Sequence, residues 1–197
     1  MIVIGITGPT GAGKTTALNE LVRLGGRIYD ADAVYHGLLR ENKDLIRELE
    51  DRFGPLTDEN GVFQRKKLGA IVFADPAALA DLNVIAHRYV VRAIREELDR
   101  AKEEGVPCAA IDAIALFESG LSDLCHSTLA ITAPPETRVR RIMAREGISE
   151  EYARSRVAAQ HSDEFFTSRC AHTLINDHRA PEDFAAEARA LFETILK

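Results

Sequence analysis

One octapeptide constrains this chain more than any other feature. Residues Gly8-Pro9-Thr10-Gly11-Ala12-Gly13-Lys14-Thr15 match G-x-x-x-x-G-K-[ST] at every defined position. A β-branched run precedes it over 1–7 and an apolar-periodic stretch follows over 14–24, so the octet joins a buried strand to a helix. That context explains the glycines. They let the backbone curl until successive N–H groups point inward at a phosphate, and the following helix adds its positive N-terminal end. Lys14 then reaches the β- and γ-phosphates, and the Thr15 hydroxyl holds Mg²⁺. The motif implies a nucleoside triphosphate as ligand.

Further strands are predicted over 27–30, 108–116, 128–132 and 173–175. Helical patterns run over 33–40, 44–53, 64–73, 76–104, 134–146, 149–161 and 181–196. Gly25-Gly26, Gly54-Pro55 and Gly105-Val106-Pro107 supply stops, and Asn60-Gly61 marks a turn able to close a small hairpin over 57–63. Strands alternating with helices imply right-handed βαβ units and a parallel sheet covered on both faces. The expected architecture is therefore α/β, with a five-stranded parallel sheet. The stretch 34–104 reads as a helical insertion over the sheet's C-terminal edge, where ligands of such sheets bind.

Composition removes several classes. A chain of 197 residues that is 46% hydrophobic forms one domain with a normal core, not a disordered segment. Its longest apolar runs, such as 109–117, fall well short of the ~20 residues a bilayer needs. With 25 Lys plus Arg against 31 Asp plus Glu, a net charge of −6 argues against nucleic acid as partner. No basic leader or cleavage site marks the N-terminus, which points to the cytoplasm. Cys108, Cys125 and Cys170 are dispersed, forming neither a disulfide framework nor a metal pair.

What is done with the triphosphate depends on other residues. Asn42-Lys43-Asp44-Leu45 and Asp58-Glu59-Asn60-Gly61 resemble GTPase motifs, but Leu45 stands where an Asp belongs and no buried strand precedes either. Asp30-Ala31-Asp32 ends the second strand on the phosphate loop's edge. A carboxylate there can orient an attacking hydroxyl and accept its proton, or can cap the next helix. Asp112 lies in the third strand, where an acid can join Thr15 as a partner of Mg²⁺. Glu118 suits either a site or a helix start. Arg138, Arg140, Arg141 and Arg145 crowd one helix, and Arg141 and Arg145 share a face, as phosphate clamps or as a solvated surface. The histidines show no metal-ligand spacing, leaving Mg²⁺ as the expected ion.

Taken in order, these pieces resemble the dephospho-coenzyme A kinase family. The resemblance is carried by 7–16, Leu24-Gly25, Asp30-Ala31-Asp32, Phe53-Gly54 and Gly61-Val62-Phe63-Gln64-Arg65. It continues through Leu82-Asn83-Val84-Ile85-Ala86-His87, Leu116-Phe117-Glu118, Arg141 with Arg145, and Ala159-Gln160. Arg88, Ile114-Ala115 and His172 depart from the family's pattern. The resemblance implies a three-layer P-loop kinase fold that transfers phosphate from ATP, with Mg²⁺, to the ribose 3′-hydroxyl of dephospho-CoA. It implies Gly11, Ala12, Gly13, Lys14, Thr15 and Thr16 around the triphosphate and Asp32 as base. Arg141 and Arg145 would close from a lid over about 134–161, and Arg65, His87, Asp32 and Glu118 would receive the acceptor. Partners are then small molecules alone, and the chain a monomer or small homo-oligomer. Two alternatives stay open: a kinase for another acceptor such as a nucleoside monophosphate, and a nucleotide-binding module without turnover.

Overall fold

In the computed structural model, which describes residues 1–178 and 180–197, the strands are β1 (Ile2–Thr7), β2 (Arg27–Asp30), β3 (Cys108–Asp112), β4 (Ser127–Thr132) and β5 (His172–Ile175). They form one sheet in the order β2-β3-β1-β4-β5, and every neighbouring pair is parallel. The helices are α1 (Lys14–Arg23), α2 (Ala31–Glu41), α3 (Lys43–Phe53), α4 (Arg65–Val72), α5 (Pro76–Glu103), α6 (Pro135–Glu146), α7 (Glu150–Ala158), α8 (Asp163–Thr167) and α9 (Pro181–Ile195).

β1 is central and covered on both faces, which is why its sequence is a continuous apolar run. Ile4, Ile6, Ala110 and Ile131 pack against Leu21 of α1 and Phe184 and Phe192 of α9. Their sequence neighbours Val3, Ala109 and Ile111 face the other way, onto Val90, Ile94 and Leu98 of α5. These two cores make the three layers.

The helices between β2 and β3 carry a core of their own, with Leu39, Leu45, Leu49, Leu68 and Ile85 buried together. α5 belongs to both bodies: its first half packs on α3 and α4, its second half on the sheet. α6 and α7 share a smaller cluster of Val139, Ile142, Ala153 and Val157. Arg154 braces that pair, donating to both carboxylate oxygens of Glu136 (2.6 and 2.8 Å) and to Glu150.

Five local outcomes differ from the sequence pattern. β3 stops at Asp112 rather than 116, because 114–120 fold into turns and the Ile114 carbonyl accepts from the Thr7 hydroxyl instead of a strand (3.1 Å). The run remains apolar because it lines a cavity. α2 begins at Ala31, directly on β2, capped by Asp30. α7 ends at Ala158, freeing Gln160 to bond with the phosphate loop. The five-residue α8 and the 3-10 turn Leu121–Leu124 are too short to display a period. The expected hairpin reduces to a single antiparallel bridge, Thr57 to Phe63. No helix among the described residues is long and apolar enough to cross a membrane.

Candidate active site

The phosphate loop leaves β1 at Thr7 and enters α1 at Lys14. Two of its glycines are obligatory on space as well as on torsion. Gly8 (φ +139°) would place a Cβ 2.0 Å from the Ile131 carbonyl oxygen, and Gly13 (φ +102°) would place one 2.2 Å from Nδ2 of Asn176. The loop borders a cavity of about 330 Å³ that Gly11, Gly13, Lys14 and Thr15 line from one side. Ala12 also borders this cavity while its side chain is buried in the core, and Thr16 follows in α1, its N–H donating back to Gly13 (3.0 Å). Lys14 Nζ donates to the Gly8 carbonyl (3.0 Å) and stands 3.9 Å from an Asp112 carboxylate oxygen.

Three acids gather at the same strand ends. Asp30 and Asp112 are partners in the β2–β3 register. Asp30 accepts from the Ala33 N–H (3.0 Å) and so performs the capping. That leaves Asp32, in the first turn of α2, to face a second cavity of about 270 Å³. Burial pushes the Asp112 carboxyl up to about 6; Lys14 opposes this, and Asp30 and Asp32 add to it.

The second cavity is mostly apolar, walled by Tyr35, Ala86, Val90 and Leu121, with Asp32, Asn83 and His87 as polar members. Ile114 and Ala115 line it, so the residues past β3 serve the pocket. Burial lowers the His87 pKa, while the charge and the backbone of Glu118 work the other way. Glu118 itself pairs with Arg169, whose guanidinium also lies over the Phe165 ring at 3.9 Å. Arg65, the first residue of α4, stands against Nε2 of His36 on α2 (3.2 Å), in a separate cavity of about 420 Å³ with Arg40 and Phe63.

The arginines of α6 separate by role. Arg138 is buried and packs its backbone under Gly11, and Arg140 is exposed, donating to the Thr137 hydroxyl (3.2 Å). Arg141 and Arg145 line the phosphate-loop cavity, as the i, i+4 spacing required. Burial first, then Arg140, pulls the Arg141 pKa down. Three residues at this cavity or its loop were not among the site residues expected. Arg156 of α7 lines it and shares the Glu146 carboxylate with Arg145 (2.6 Å to Arg145). Gln160 accepts from the Thr10 N–H (2.8 Å), and Asn176 donates to the Ala12 carbonyl (2.9 Å). The second arginine-rich helix and an Asn at a strand's end were the available signals.

The donor set fits Mg²⁺. Asp112 faces the Lys14 ammonium while the charges of Asp30 and Asp32 bear on it, and a divalent cation would offset that negative charge. Among the described residues no group of three or more His, Cys, Asp or Glu forms a ready-made metal site.

Comparison with known proteins agrees with this geometry. A family model described as dephospho-CoA kinase matches residues 2–182. A Dehalococcoides mccartyi protein named dephospho-CoA kinase is 37% identical over 198 residues, covering 100% of this chain and 99% of its own. The crystal structure of TT1252 from Thermus thermophilus superposes with a TM-score of 0.78 at 36% identity, covering 98% of this chain and 96% of that one. The dephospho-CoA kinase from Campylobacter jejuni gives 0.70 at 26% identity, with the same coverage.

Proposed function

The chain belongs to the dephospho-CoA kinase family, and we propose from that premise how its own residues phosphorylate dephospho-CoA with ATP to give coenzyme A and ADP. The observation that carries the reading is the meeting of two unlike cavities at the strand ends. One is cationic and shaped for phosphates; the other is apolar and presents Asp32.

ATP lies along the phosphate loop. Backbone N–H groups of 11–16 surround the triphosphate, Lys14 leaves its Gly8 and Asp112 contacts for the β- and γ-oxygens, and Arg141, Arg145 and Arg156 face it from the lid helices. Thr15 and Asp112 would hold Mg²⁺, which supplies neutralisation of charge on the phosphates. Dephospho-CoA enters the second cavity with its ribose 3′-hydroxyl at Asp32, while Arg65, His87 and Glu118 border its path. Asp32 orients the hydroxyl and takes its proton. The new O–P bond forms as the bond from the γ-phosphorus to the β,γ-bridging oxygen breaks, and ADP carries away the leaving electron pair. Closure of α6–α7 and of α2–α5 over the strand ends keeps water from the γ-phosphorus. The protein acts on small molecules in the cytoplasm, as a monomer or small homo-oligomer.

The test is ADP release with MgATP against dephospho-CoA, AMP, CMP, shikimate and water alone. Strong dependence on dephospho-CoA is expected. Stimulation by a different acceptor keeps the chemistry and overturns the substrate; ATP binding without turnover leaves a binding module. Asp32→Ala should bind ATP normally and lose about three decades of kcat, at the upper range for a general base with its orienting role. Near-normal turnover in that variant removes Asp32 from the mechanism.

A further inference from the structure

One buried amide joins three parts of the site. Asn176 follows β5, is 4% exposed, and donates its own N–H to the Thr132 carbonyl (2.8 Å). Both ends of its side chain are engaged. Nδ2 donates to the Ala12 carbonyl of the phosphate loop (2.9 Å), and Oδ1 accepts from Nη2 of Arg141 (3.0 Å). Arg141 in turn donates through Nη1 to the Gly11 and Ala12 carbonyls (3.3 Å each). The space is closed, since a Cβ on Gly13 would meet Nδ2 at 2.2 Å.

We propose that Asn176 is a positioning residue for phosphoryl transfer, holding the Arg141 guanidinium and the Ala12 carbonyl in one fixed arrangement beside the triphosphate. The inference rests on the kinase reading of the site. Arg141 has five N–H donors, and the contacts with Asn176 and the loop leave others for phosphate oxygens. A long side chain held this way loses little freedom when phosphate arrives, so its charge is already in place as the transferring group forms. Chemistry explains why the residue is an amide. It donates to a carbonyl and accepts from a guanidinium at once, without charge. An aspartate of the same shape sets oxygen against the Ala12 carbonyl and offers Arg141 a carboxylate that competes with the phosphates.

The experiment compares wild type, Asn176→Ala, Asn176→Asp, Arg141→Ala and the Asn176→Ala/Arg141→Ala double variant. It records kcat with dephospho-CoA, ATP Kd by calorimetry, and the melting temperature. Asn176→Ala is expected to lower kcat about tenfold and to raise the ATP Kd about fivefold, with Asn176→Asp worse on both. In the Arg141→Ala background, removing Asn176 should cost less than about twofold more, because its effect passes through Arg141. Losses that multiply, or wild-type behaviour in either Asn176 variant, overturn the proposal. Where Asn176→Ala melts below the assay temperature, the isosteric Asn176→Asp decides: full activity overturns the role. Failure of the kinase reading looks different. Wild type then binds ATP and transfers nothing to dephospho-CoA, and the cycle is read on ATP Kd, where additive losses overturn the positioning role on their own.

Discussion

Asp112 sits in an environment unlike the one its residue type usually occupies. Its carboxyl sits at about 6, raised by burial and by Asp30 and Asp32, and lowered by Lys14. The folded value lies above the usual carboxylate value of about 4, so the neutral form persists to higher pH. Pairing with Lys14 needs the ionised form, as would holding Mg²⁺. As pH falls through 6 the free enzyme loses that charge. We expect kcat/KM for MgATP to fall about tenfold per pH unit below this point, and Asp112→Asn to be low and flat from pH 5 to 8. A wild-type profile level down to pH 5 would remove Asp112 from nucleotide binding. Gly13 makes a steric prediction. Gly13→Ala forces a side chain onto Asn176 at a positive φ, with a backbone cost of roughly 1–3 kcal/mol. It should abolish saturable ATP binding in calorimetry while far-UV circular dichroism still reports a folded chain.

Among the elements, α9 and α2 show how position decides purpose. α9 covers the sheet face opposite α5, with Phe184 and Phe192 fully buried and neither lining the two cavities. Phe192→Ala should therefore cost about 3–5 kcal/mol in urea unfolding and leave kcat unchanged where the variant is folded. A fall in kcat without a fall in stability would mean that α9 reaches the site. α2 does the reverse. It starts directly after the last residue of β2, so Asp30 is consumed by capping and Asp32 is left to face the apolar cavity. Residue spacing alone left either acid free for either task. The α6–α7 pair shows a similar division, with Arg154 bracing α7 to α6 while Arg145 and Arg156 line the phosphate-loop cavity.

At the scale of the whole molecule, charge and motion set the behaviour. The chain carries −6 overall, yet Lys14, Arg141, Arg145 and Arg156 concentrate positive charge at one cavity. That local field draws a nucleotide to an otherwise acidic protein. The α6–α7 cluster is a small core beside the sheet's own, and the α2–α5 cluster is joined to the sheet's core through α5. Closure that needs both ligands should hold ADP release without acceptor below about 1% of the rate with saturating dephospho-CoA, as measured by coupled assay. Comparable rates would show that water reaches the γ-phosphorus freely.

The sequence by itself determined what depends on neighbours in the chain. The octet 8–15, the helix and strand periods, and the acid at the end of β2 are local, because backbone torsion, capping and amphipathic spacing act over a few residues. That β3 ends at Asp112 and that 113–115 line a pocket were hidden, since an apolar run looks the same against a core and against a cavity. Only the tertiary structure could unite Gln160 with Thr10, 150 residues away, or Asn176 with Ala12, 164 away. Strand order brings those partners together: β4 and β5 continue the sheet beside β1, so the loops at their ends meet the phosphate loop. Nothing in the local pattern of an Asn or a Gln records which distant carbonyl or N–H it will find.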